Sequence, residues 1–473
     1  MRRAISWTEL VGLRVGVWGA RVEGAANLRR LSVLGVPPVA VVDDGVEGVV
    51  EGQRVLGAAG GGLDALASCD VVVKSPGISR HSQQVAALEE EGVAVTGGLA
   101  LWLADHAGEE VVCVTGSKGK STTTAVAGHL AAGLGRRPFV GGNIGRPPWD
   151  PAAPEPPGGA DLWIVETSSF QAADVARSPR VVVVTSLSPD HLDWHGDLAT
   201  YYADKLSLCS QPGAELTVAN GDDPVLRARA GGLGPAQRWV SLAEGGSAWV
   251  EGLGLLGEHN RRNALLAAAA LDAIGVEGAA EAERLAAAAR GFVGLPSRLD
   301  PIGVLGGVTF VDDSLSTNVL PTLAALDVFA GRRVALLVGG HDRGIDYRPL
   351  ADGLLAREEP TLVLGLPDNG ERILAAVRAE SAESVTGSAV ARGGKEPGAT
   401  AVAAPRGVRR GGPLELRSAP ELARAVEEGW AWARPDGVVL LSPAAASFGR
   451  YGDYRERSAA FAAAVEGLRR RGV

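Results

Sequence analysis

The residues most able to do chemistry in this sequence are Lys120 and Ser121, which follow Gly119 in a short glycine-containing segment. They lie in VVCVTGSKGKSTTT, residues 111–124, between an apolar run typical of a buried parallel strand and a helical pattern. Gly116 and Gly119 would let the backbone turn tightly enough for several N–H groups to face one anion. Lys120 would add a positive charge, and Ser121 a hydroxyl for Mg2+ at a helix start. The segment therefore predicts a phosphate-binding loop.

This loop is shorter than a full Walker A motif. The full motif requires a glycine where Val114 stands, so the chain has the shortened form G-x-x-G-K-S. A chance loop is the alternative, but the preceding strand and the threonines that follow favour a phosphate site. The residues that we expect to contact a nucleotide here are Gly116, Ser117, Lys118, Gly119, Lys120, Ser121 and Thr122.

An acid and an imidazole follow two later strands. The apolar run in LWIVETSSFQ, residues 162–171, ends in Glu166, and the run in RVVVVTSLSPDHLDWHG, residues 180–196, leads to His191. We expect these two strands to be neighbours, so that their carboxyl ends meet at one edge of a parallel sheet, where Mg2+ is usually held. A histidine in isolation is more often a hydrogen-bonded loop residue, but its place beside the phosphate loop favours a metal role for His191.

Two loops lie between the phosphate loop and Glu166. Asn143 follows a strand end in PFVGGNIGRP, and it can be a polar turn residue and nothing more. Residues 146–161 are rich in proline and glycine, so we expect an exposed, mobile loop there.

The first hundred residues alternate short β-runs with helical stretches, which is the pattern of an open parallel sheet. The first turn carries a GxGxxG pattern from Gly19 to Gly24, with Arg21 in place of the middle glycine, and Asp43 lies where a ribose hydroxyl is often bound. A dinucleotide site is one reading, although Arg21 would crowd a pyrophosphate. A ligand-free turn and a site for a nucleotide-linked substrate are the other two. A second turn, Lys-Ser-Pro-Gly-Ile at residues 74–78, faces the same crevice and favours the last of these.

Length, charge and cysteine spacing exclude several classes. With 473 residues the chain is long enough for about three domains. A net charge of -9 argues against a general nucleic-acid binder. The three cysteines have no metal-type spacing, and neither a signal peptide nor a membrane-spanning run is evident. We therefore expect a cytoplasmic monomer that is not inserted in a membrane.

The motifs together resemble those of a known family. The loop T-G-S-K-G-K-S-T resembles the nucleotide loop of the Mur ligases and of their folylpolyglutamate synthase relatives. The segments E-T-S-S-F-Q and S-P-D-H-L-D, and the following Y-x-x-x-K, look like the glutamate-adding, MurD-type branch. The resemblance implies ATP and Mg2+ as cofactors, and UDP-MurNAc-L-alanine and glutamate as small-molecule substrates joined through an acyl phosphate. A dehydrogenase would leave residues 111–205 without a role, and a P-loop switch would need a usual Walker B motif.

The resemblance also assigns residues. It implies that Lys205 carries a carbamate that bridges to Mg2+ beside Ser121, Glu166 and His191, whereas the sequence alone allows a solvated helix lysine. Further contacts to ATP would come from Asn260, Asn263, Arg298 and Asp313, although the two asparagines alone would be taken for helix-capping residues. The UDP-substrate would contact Gly19, Arg21, Gly24, Asp43, Ser75, Pro76, Gly77 and Asn143. The glutamate would contact Thr317, Arg343, Ser447, Phe448 and Tyr454.

Two departures from the family pattern lie around the acceptor. Leu315 and Arg343 each replace a family lysine. Both changes resemble a branch that adds L-glutamate, so we favour L-glutamate and keep D-glutamate as the alternative.

The predicted fold class is α/β with three domains. They are a Rossmann-like UDP-binding domain, residues 1–107, a central P-loop ATPase-like parallel-sheet domain, residues 108–300, and a Rossmann-like glutamate-binding domain, residues 301–473. Residues 383–414 have no periodicity and predict a largely disordered insertion.

Overall fold

A computed structural model describes residues 3–244, 248–390 and 412–471. The chain forms two compact units, residues 1–293 and 294–473. Three six-stranded sheets, flanked by helices and mostly parallel, confirm the predicted α/β class. The predicted domain limits stay predictions. The limit at 107/108 falls inside the first unit, and the limit at 300/301 falls within the strand Asp300–Leu305.

The first sheet of the first unit has the order β3-β4-β2-β1-β5-β6. Its strands are β1 (Val15–Trp18), β2 (Ala40–Val42), β3 (Val49–Val50), β4 (Gln53–Leu56), β5 (Val71–Lys74) and β6 (Ala94–Gly97). Its helices are α1 (Val22–Val33), α2 (Gly62–Ala67), α3 (Gln83–Glu90) and α4 (Gly98–Asp105). The short edge strand β3 is antiparallel to β4, and the other pairs are parallel.

The second sheet of this unit is parallel in all its pairings and has the order β12-β11-β10-β7-β9-β8. Its strands are β7 (Val111–Thr115), β8 (Pro138–Gly142), β9 (Leu162–Glu166), β10 (Val181–Val184), β11 (Leu216–Asn220) and β12 (Gln237–Val240). Its helices are α5 (Lys120–Gly133), α6 (Ser169–Ala172), α7 (Leu192–His195), α8 (Leu198–Ser207), α9 (Pro224–Arg227), α10 (Glu258–Ile274) and α11 (Ala282–Ala289). Strands β7 and β10 are buried throughout, as expected for a sheet that is covered on both faces.

The second unit contains the third sheet, with the order β13-β14-β18-β15-β16-β17. Its strands are β13 (Asp300–Leu305), β14 (Val308–Asp312), β15 (Val334–Val338), β16 (Thr361–Gly365), β17 (Leu414–Ser418) and β18 (Val438–Leu441). Its helices are α12 (Val319–Val328), α13 (Arg348–Ala356), α14 (Gly370–Val390), α15 (Leu422–Ala433) and α16 (Tyr454–Arg470). The antiparallel edge strand β13 was not predicted.

Two loop predictions need correction. The loop at residues 146–161 is not wholly exposed, because Trp149 and Asp150 are buried in it. The indole N–H of Trp149 donates to Asn27 Oδ1 at 2.8 Å, and Asp150 pairs with Arg29 at 2.7 Å. The predicted insertion at 383–414 begins with helix, since α14 continues to Val390, and residues 391–411 lie outside the described residues.

The three cysteines are interior thiols. Cys69, Cys113 and Cys209 are buried and unpaired, and burial raises the pKa of the Cys113 thiol to about 12. Among the described residues, none of the helices combines the length and the apolar character needed to cross a membrane.

Two helical glycines make the packing at the first turn testable. A Cβ added at Gly24 in α1 would lie 1.8 Å from the Gly19 carbonyl oxygen, whereas one added at Gly467 in α16 meets nothing within 4 Å. We expect Gly24→Ala to destabilise the first unit by ~1–3 kcal/mol through overpacking. Gly467→Ala should stabilise the second unit by ~0.5–1 kcal/mol. Thermal unfolding of both variants tests this, and a higher melting temperature for Gly24→Ala would contradict the close approach.

Candidate active site

The predicted phosphate loop joins β7 to α5 through a backbone that requires glycine at two positions. Gly116 has φ +139° and Gly119 has φ +92°, both in the region that favours glycine. A Cβ at Gly116 would lie 2.1 Å from Thr185 Oγ1, and one at Gly119 would lie 2.5 Å from Asn263 Oδ1. The loop is therefore pressed between the end of β10 and the start of α10.

Hydroxyl groups on the segment after β10 hold the loop in place. Ser117 N–H donates to the Ser186 carbonyl oxygen at 2.8 Å, and Lys118 N–H donates to Ser186 Oγ at 2.9 Å. Ser188 N–H donates to Ser117 Oγ at 2.9 Å, and that hydroxyl also hydrogen-bonds the Tyr201 hydroxyl. Helix α5 begins at Lys120, directly after Gly119, so the loop presents a helix start to an anion.

Two lysine side chains converge on one carbonyl oxygen of this loop. Lys120 Nζ donates to the Gly116 carbonyl oxygen at 2.9 Å, and Lys205 Nζ donates to the same atom at 3.0 Å. Lys205 is only 2% exposed. Burial, and then the charge of Lys120, lower the pKa of Lys205 well below its usual value. The solvated helix lysine that the sequence allowed is thus excluded, and Lys205 can carry a neutral amine.

Glu166 lies at the end of β9 with one oxygen engaged and one not. Its Oε1 accepts a hydrogen bond from Asn143 Nδ2 at 2.6 Å, while the buried Oε2 has no hydrogen-bond partner among the described residues. A buried carboxylate oxygen without a partner is costly, so the pattern fits a ligand for a cation. The strands that carry Glu166 and lead to His191 are not neighbours, because the phosphate-loop strand β7 lies between them. They still end at the same edge of the sheet.

His191 lies in the loop after β10 and not at the strand end. It has a left-handed backbone with φ +51°, and its side chain is 49% exposed. Partial burial of the half-exposed ring lowers the pKa of His191, against the opposing effect of Asp190, whose carboxylate lies 3.8 Å from His191 Nε2. Asp190 also binds Lys118 Nζ at 3.1 Å. A neutral imidazole is the form that binds metals, so the surroundings suit that role.

Asn260 and Asn263 are buried in the first turns of α10, next to the phosphate loop. They do not cap this helix, because the residue at the cap position is Gly257. Asn260 Nδ2 donates to the Leu256 carbonyl oxygen at 2.9 Å, and Asn263 Nδ2 donates to Asn260 Oδ1 at 3.2 Å. The structure thus brings Asn263 against Gly119 of the loop, and Asn260 is hydrogen-bonded to Asn263.

The predicted UDP-substrate residues form a separate group around the first turn. Gly19 and Gly24 pack tightly, and Ser75 Oγ donates to the Gly19 carbonyl oxygen at 3.2 Å. Asp43 uses both carboxylate oxygens on backbone N–H groups of its own region, those of Ala20 and Gly45, each at 2.7 Å. A ribose hydroxyl that bonded Asp43, as predicted, would therefore compete with these two backbone N–H groups for the carboxylate.

Other members of the UDP-substrate group lie at the edges of this turn or elsewhere. Arg21 is exposed at the start of α1, and Gly77 has open space around it. The Pro76 carbonyl oxygen accepts a hydrogen bond from Trp194 Nε1 at 3.0 Å. Asn143 is bonded to Glu166, so the structure places it with the predicted metal ligands.

In the second unit, Asp313 is held by hydroxyl groups. It is 5% exposed, and its Oδ2 accepts hydrogen bonds from Ser316 Oγ at 2.5 Å and Ser442 Oγ at 2.7 Å. Burial raises the pKa of Asp313 to about 6. Arg298 lies between Ser297 and Leu299, which both have left-handed backbones. The Leu299 N–H donates to Asp313 Oδ1 at 3.2 Å, so the segment that carries Arg298 is fixed to Asp313.

The residues predicted to contact the substrate glutamate are only partly brought together by the fold. A cavity of about 730 Å³ in the second unit is lined by His341, Asp342, Asp368, Asn369, Arg372, Phe448, Gly449 and Arg450. The Arg343 guanidinium lies 5.6 Å from the centre of the Phe448 ring, and Ser447 lines a small neighbouring pocket. Thr317 and Tyr454 do not line the cavity. The sequence analysis did not identify Arg372, because it lies 30 positions from Asp342 along the chain, and it passed over Arg450, although Arg450 follows Phe448 by two residues.

Comparison with known proteins gives one consistent result. Residues 114–249 match the family described as Mur ligase middle domain. A UDP-N-acetylmuramoyl-L-alanine--L-glutamate ligase of a Micromonospora species is 40% identical, covering 97% of this chain and 97% of that protein. The protein of the same name from Salinispora tropica is 39% identical, covering 97% and 98%. That from Xanthomonas euvesicatoria is 38% identical, covering 96% and 95%.

Solved structures share the fold at low sequence identity. The UDP-N-acetylmuramate-alanine ligase of Thermotoga maritima has a TM-score of 0.54 at 17% identity, covering 96% of this chain and 100% of that chain. The folylpolyglutamate synthase of Mycobacterium tuberculosis has a TM-score of 0.51 at 17% identity, covering 77% and 92%.

The raised pKa of Asp313 predicts a pH dependence of stability. The folded second unit holds this proton up to about pH 6, whereas the unfolded chain releases it near the ordinary value of 3.8. Stability should therefore fall as the pH rises from about 4 to about 6, by roughly 3 kcal/mol in total. Asp313→Asn should remove most of this fall in thermal unfolding measured across that range. Asp352→Asn, which removes an exposed carboxylate from the same unit, is the control, and equal slopes for the two variants would contradict the assignment.

Proposed function

Since the chain belongs to the Mur ligase family and is an ATP-dependent, ADP-forming ligase, we propose that it joins L-glutamate to UDP-N-acetylmuramoyl-L-alanine in peptidoglycan precursor synthesis. The observation that carries this proposal is the cluster at the phosphate loop. Lys120 and Lys205 share the Gly116 carbonyl oxygen there, beside a buried Glu166 with an unpartnered oxygen.

The reaction proceeds in two steps, formation of an acyl phosphate and then of the amide. A free carboxylate does not form an amide at a useful rate, so the alanyl carboxylate first attacks the γ-phosphorus of ATP, forming an acyl phosphate and releasing ADP. The glutamate amine, in its neutral form, then attacks the acyl carbon. The amide bond forms, the carbon–oxygen bond to phosphate breaks, and inorganic phosphate leaves with the electron pair. The surplus proton on the nitrogen passes to solvent or to phosphate.

The residues of the phosphate loop do the work of charge neutralisation in the first step. Negative charge builds up on the oxygens of the transferred phosphoryl group, and Lys120 and the helix start of α5 are placed to stabilise it. Because hydrogen bonds from the segment after β10 fix the loop in advance, little reorganisation is needed as the charge develops. Water would hydrolyse the acyl phosphate, so a site for this reaction must exclude water while the intermediate is present.

Mg2+ would be held by Ser121, Glu166, His191 and a carbamate on Lys205. The donor set fits this ion, since the Glu166 Oε2 is buried and unpartnered and a carbamate would supply another oxygen. When bound, Mg2+ supplies positive charge to the phosphate oxygens.

The surroundings of Lys205 support the carbamate. A carbamate forms when a neutral amine attacks carbon dioxide, and burial together with a neighbouring cation lowers the pKa of Lys205, which favours the neutral amine. The product is an anion, which would then be stabilised by the same Lys120 that lowers the pKa of the amine. One arrangement of charges thus favours both the reactant and the product of this modification.

L-Glutamate as acceptor is supported by the names of the relatives and by the two departures from the family pattern. The relatives compared above are named as L-glutamate ligases. Arg343 replaces a lysine beside Phe448, and a guanidinium can bind a carboxylate through two parallel hydrogen bonds. The alternative is the same reaction with D-glutamate. We also propose that the protein works as a cytoplasmic monomer.

The acceptor is tested by supplying each enantiomer separately. Purified protein with ATP, Mg2+ and UDP-N-acetylmuramoyl-L-alanine should release phosphate with L-glutamate, with kcat/KM at least tenfold above that for D-glutamate, about 1.4 kcal/mol of discrimination. Arg343→Ala should raise the KM for glutamate and leave the KM for ATP unchanged. Turnover with D-glutamate alone would reverse the choice of enantiomer, and no turnover with either would reject glutamate as the acceptor.

The carbamate is tested by removing the amine and supplying a carboxylate. Lys205→Ala should lower kcat by ~10²-fold or more, because an anionic ligand to the metal is lost. Acetate should restore part of the activity to this variant, since it can occupy the vacated space with a carboxylate. Lys205→Arg is the matched control, because its side chain fills the space and cannot form a carbamate. Failure of acetate to restore Lys205→Ala, or equal recovery of Lys205→Arg, would count against the carbamate.

A further inference from the structure

Two histidine side chains meet at one carboxylate oxygen of an aspartate, none of which was assigned to the phosphate loop or to the Mg2+ site. His81 follows β5 by a short loop, His195 ends α7, and Asp204 lies on α8. His81 Nε2 and His195 Nδ1 each lie 2.7 Å from Asp204 Oδ2. His81 and Asp204 are 123 positions apart in the chain, so the fold and not local sequence brings them together.

The geometry points to a site for a divalent transition-metal ion of the zinc type, and we propose that these three residues bind it. One ligand atom from each residue lies within 4.8 Å of the other two. Tetrahedral zinc places its ligand atoms about 3.3 Å apart, given metal–ligand distances of about 2.0–2.2 Å. The ion would replace the protons that now bridge each imidazole to the carboxylate, and each of these two nitrogen–oxygen distances would lengthen from 2.7 Å by about 0.6 Å.

The second nitrogen of His195 supplies an independent indication. His195 Nε2 lies 3.0 Å from Ser169 Oγ, and Ser169 is buried. Metal-binding histidines almost always have their other ring nitrogen fixed by such a hydrogen bond, because it sets the tautomer and the orientation of the ring. The rings of Phe170, Trp194 and Tyr201 pack around His195, with centroids 5.6, 4.4 and 5.1 Å away. An apolar shell of this kind strengthens the binding of a cation to its ligands.

The ligand set selects the class of ion. Two imidazole nitrogens and one carboxylate oxygen suit Zn2+, whereas the ligands proposed for Mg2+ are mainly oxygens, with His191 as the one imidazole. The side chain of His81 is 39% exposed, which leaves a route for the ion and space for water as a fourth ligand. This site is therefore separate from the Mg2+ site proposed at Glu166, although Asp204 and Lys205 are consecutive on α8.

A bound ion would connect two segments that the proposed reaction uses. His81 follows the turn that carries Ser75, and Ser79 Oγ donates to the Trp194 carbonyl oxygen at 2.8 Å beside His195. Asp204 precedes Lys205 on α8. The ion would thus fix the segment after the candidate UDP-substrate turn to the helix that carries the proposed carbamate.

The full-length protein, stripped with a chelator and kept in excess Mg2+, allows a direct test by titration with Zn2+ alone. We expect one equivalent of zinc in calorimetry and elemental analysis, and binding weakened by roughly tenfold or more in His81→Ala and in Asp204→Asn. Co2+ should give the visible absorption of a tetrahedral site, and His81→Ala should lose it. His129→Ala, which removes a histidine bonded to the Arg290 carbonyl oxygen, is the control and should bind like the parent.

Two results would overturn the site. One is the absence of saturable zinc binding by the parent, which would leave a hydrogen-bonded cluster without a metal. The other is zinc binding that His81→Ala and Asp204→Asn retain but Glu166→Gln loses, which would place the ion at the phosphate loop. Because these readouts need no turnover, they are independent of whether L-glutamate is the acceptor. Thermal unfolding shows whether each variant remains folded.

Discussion

The candidate site depends on one close approach, that of the Gly116 backbone to the end of β10. There is no room for a side chain at Gly116, since a Cβ would lie 2.1 Å from Thr185 Oγ1. The approach lets Ser186 and Ser188 bond the loop, and it turns the Gly116 carbonyl oxygen toward the two lysines. A larger residue would move the loop off β10 and separate all of these groups together.

The shared carbonyl oxygen explains why a buried lysine is tolerated. An isolated ammonium group is costly to bury, and the pKa of Lys205 falls accordingly. Lys120 increases this effect, while Glu166 and Asp190 oppose it. The site therefore holds more potential ligands and charges than it can satisfy internally, as the unpartnered Glu166 Oε2 shows. Such an arrangement is expected of a site that is completed by bound phosphate and a cation.

Features that depend on neighbouring residues could be predicted from the sequence, whereas contacts between residues far apart along the chain could not. The phosphate loop and the carboxylate at the end of β9 were predicted because each rests on a strand and its next few residues. The hydrogen bond from Lys205 to Gly116 joins residues 89 positions apart and was not predicted, and only the family resemblance placed Lys205 near the metal. The burial of Trp149 was missed because a run of prolines and glycines indicates a loop but not what the loop packs against. Asp43 kept its predicted place, yet its oxygens bond the first turn, which no spacing rule could indicate.

The relation between the two sheets of the first unit depends on buried charge as well as on apolar packing. Lys74, at the end of β5, pairs with Asp174 at 2.5 Å, and both side chains are at most 2% exposed. Arg80 joins the same carboxylate at 3.2 Å. A buried ion pair adds little net stability, since desolvation offsets the attraction, but it is strongly directional, and breaking it leaves an uncompensated charge. Lys74 immediately precedes the Ser75 turn, and Asp174 closely follows α6, which begins three residues after Glu166. The pair therefore fixes the candidate substrate turn relative to the candidate metal ligand.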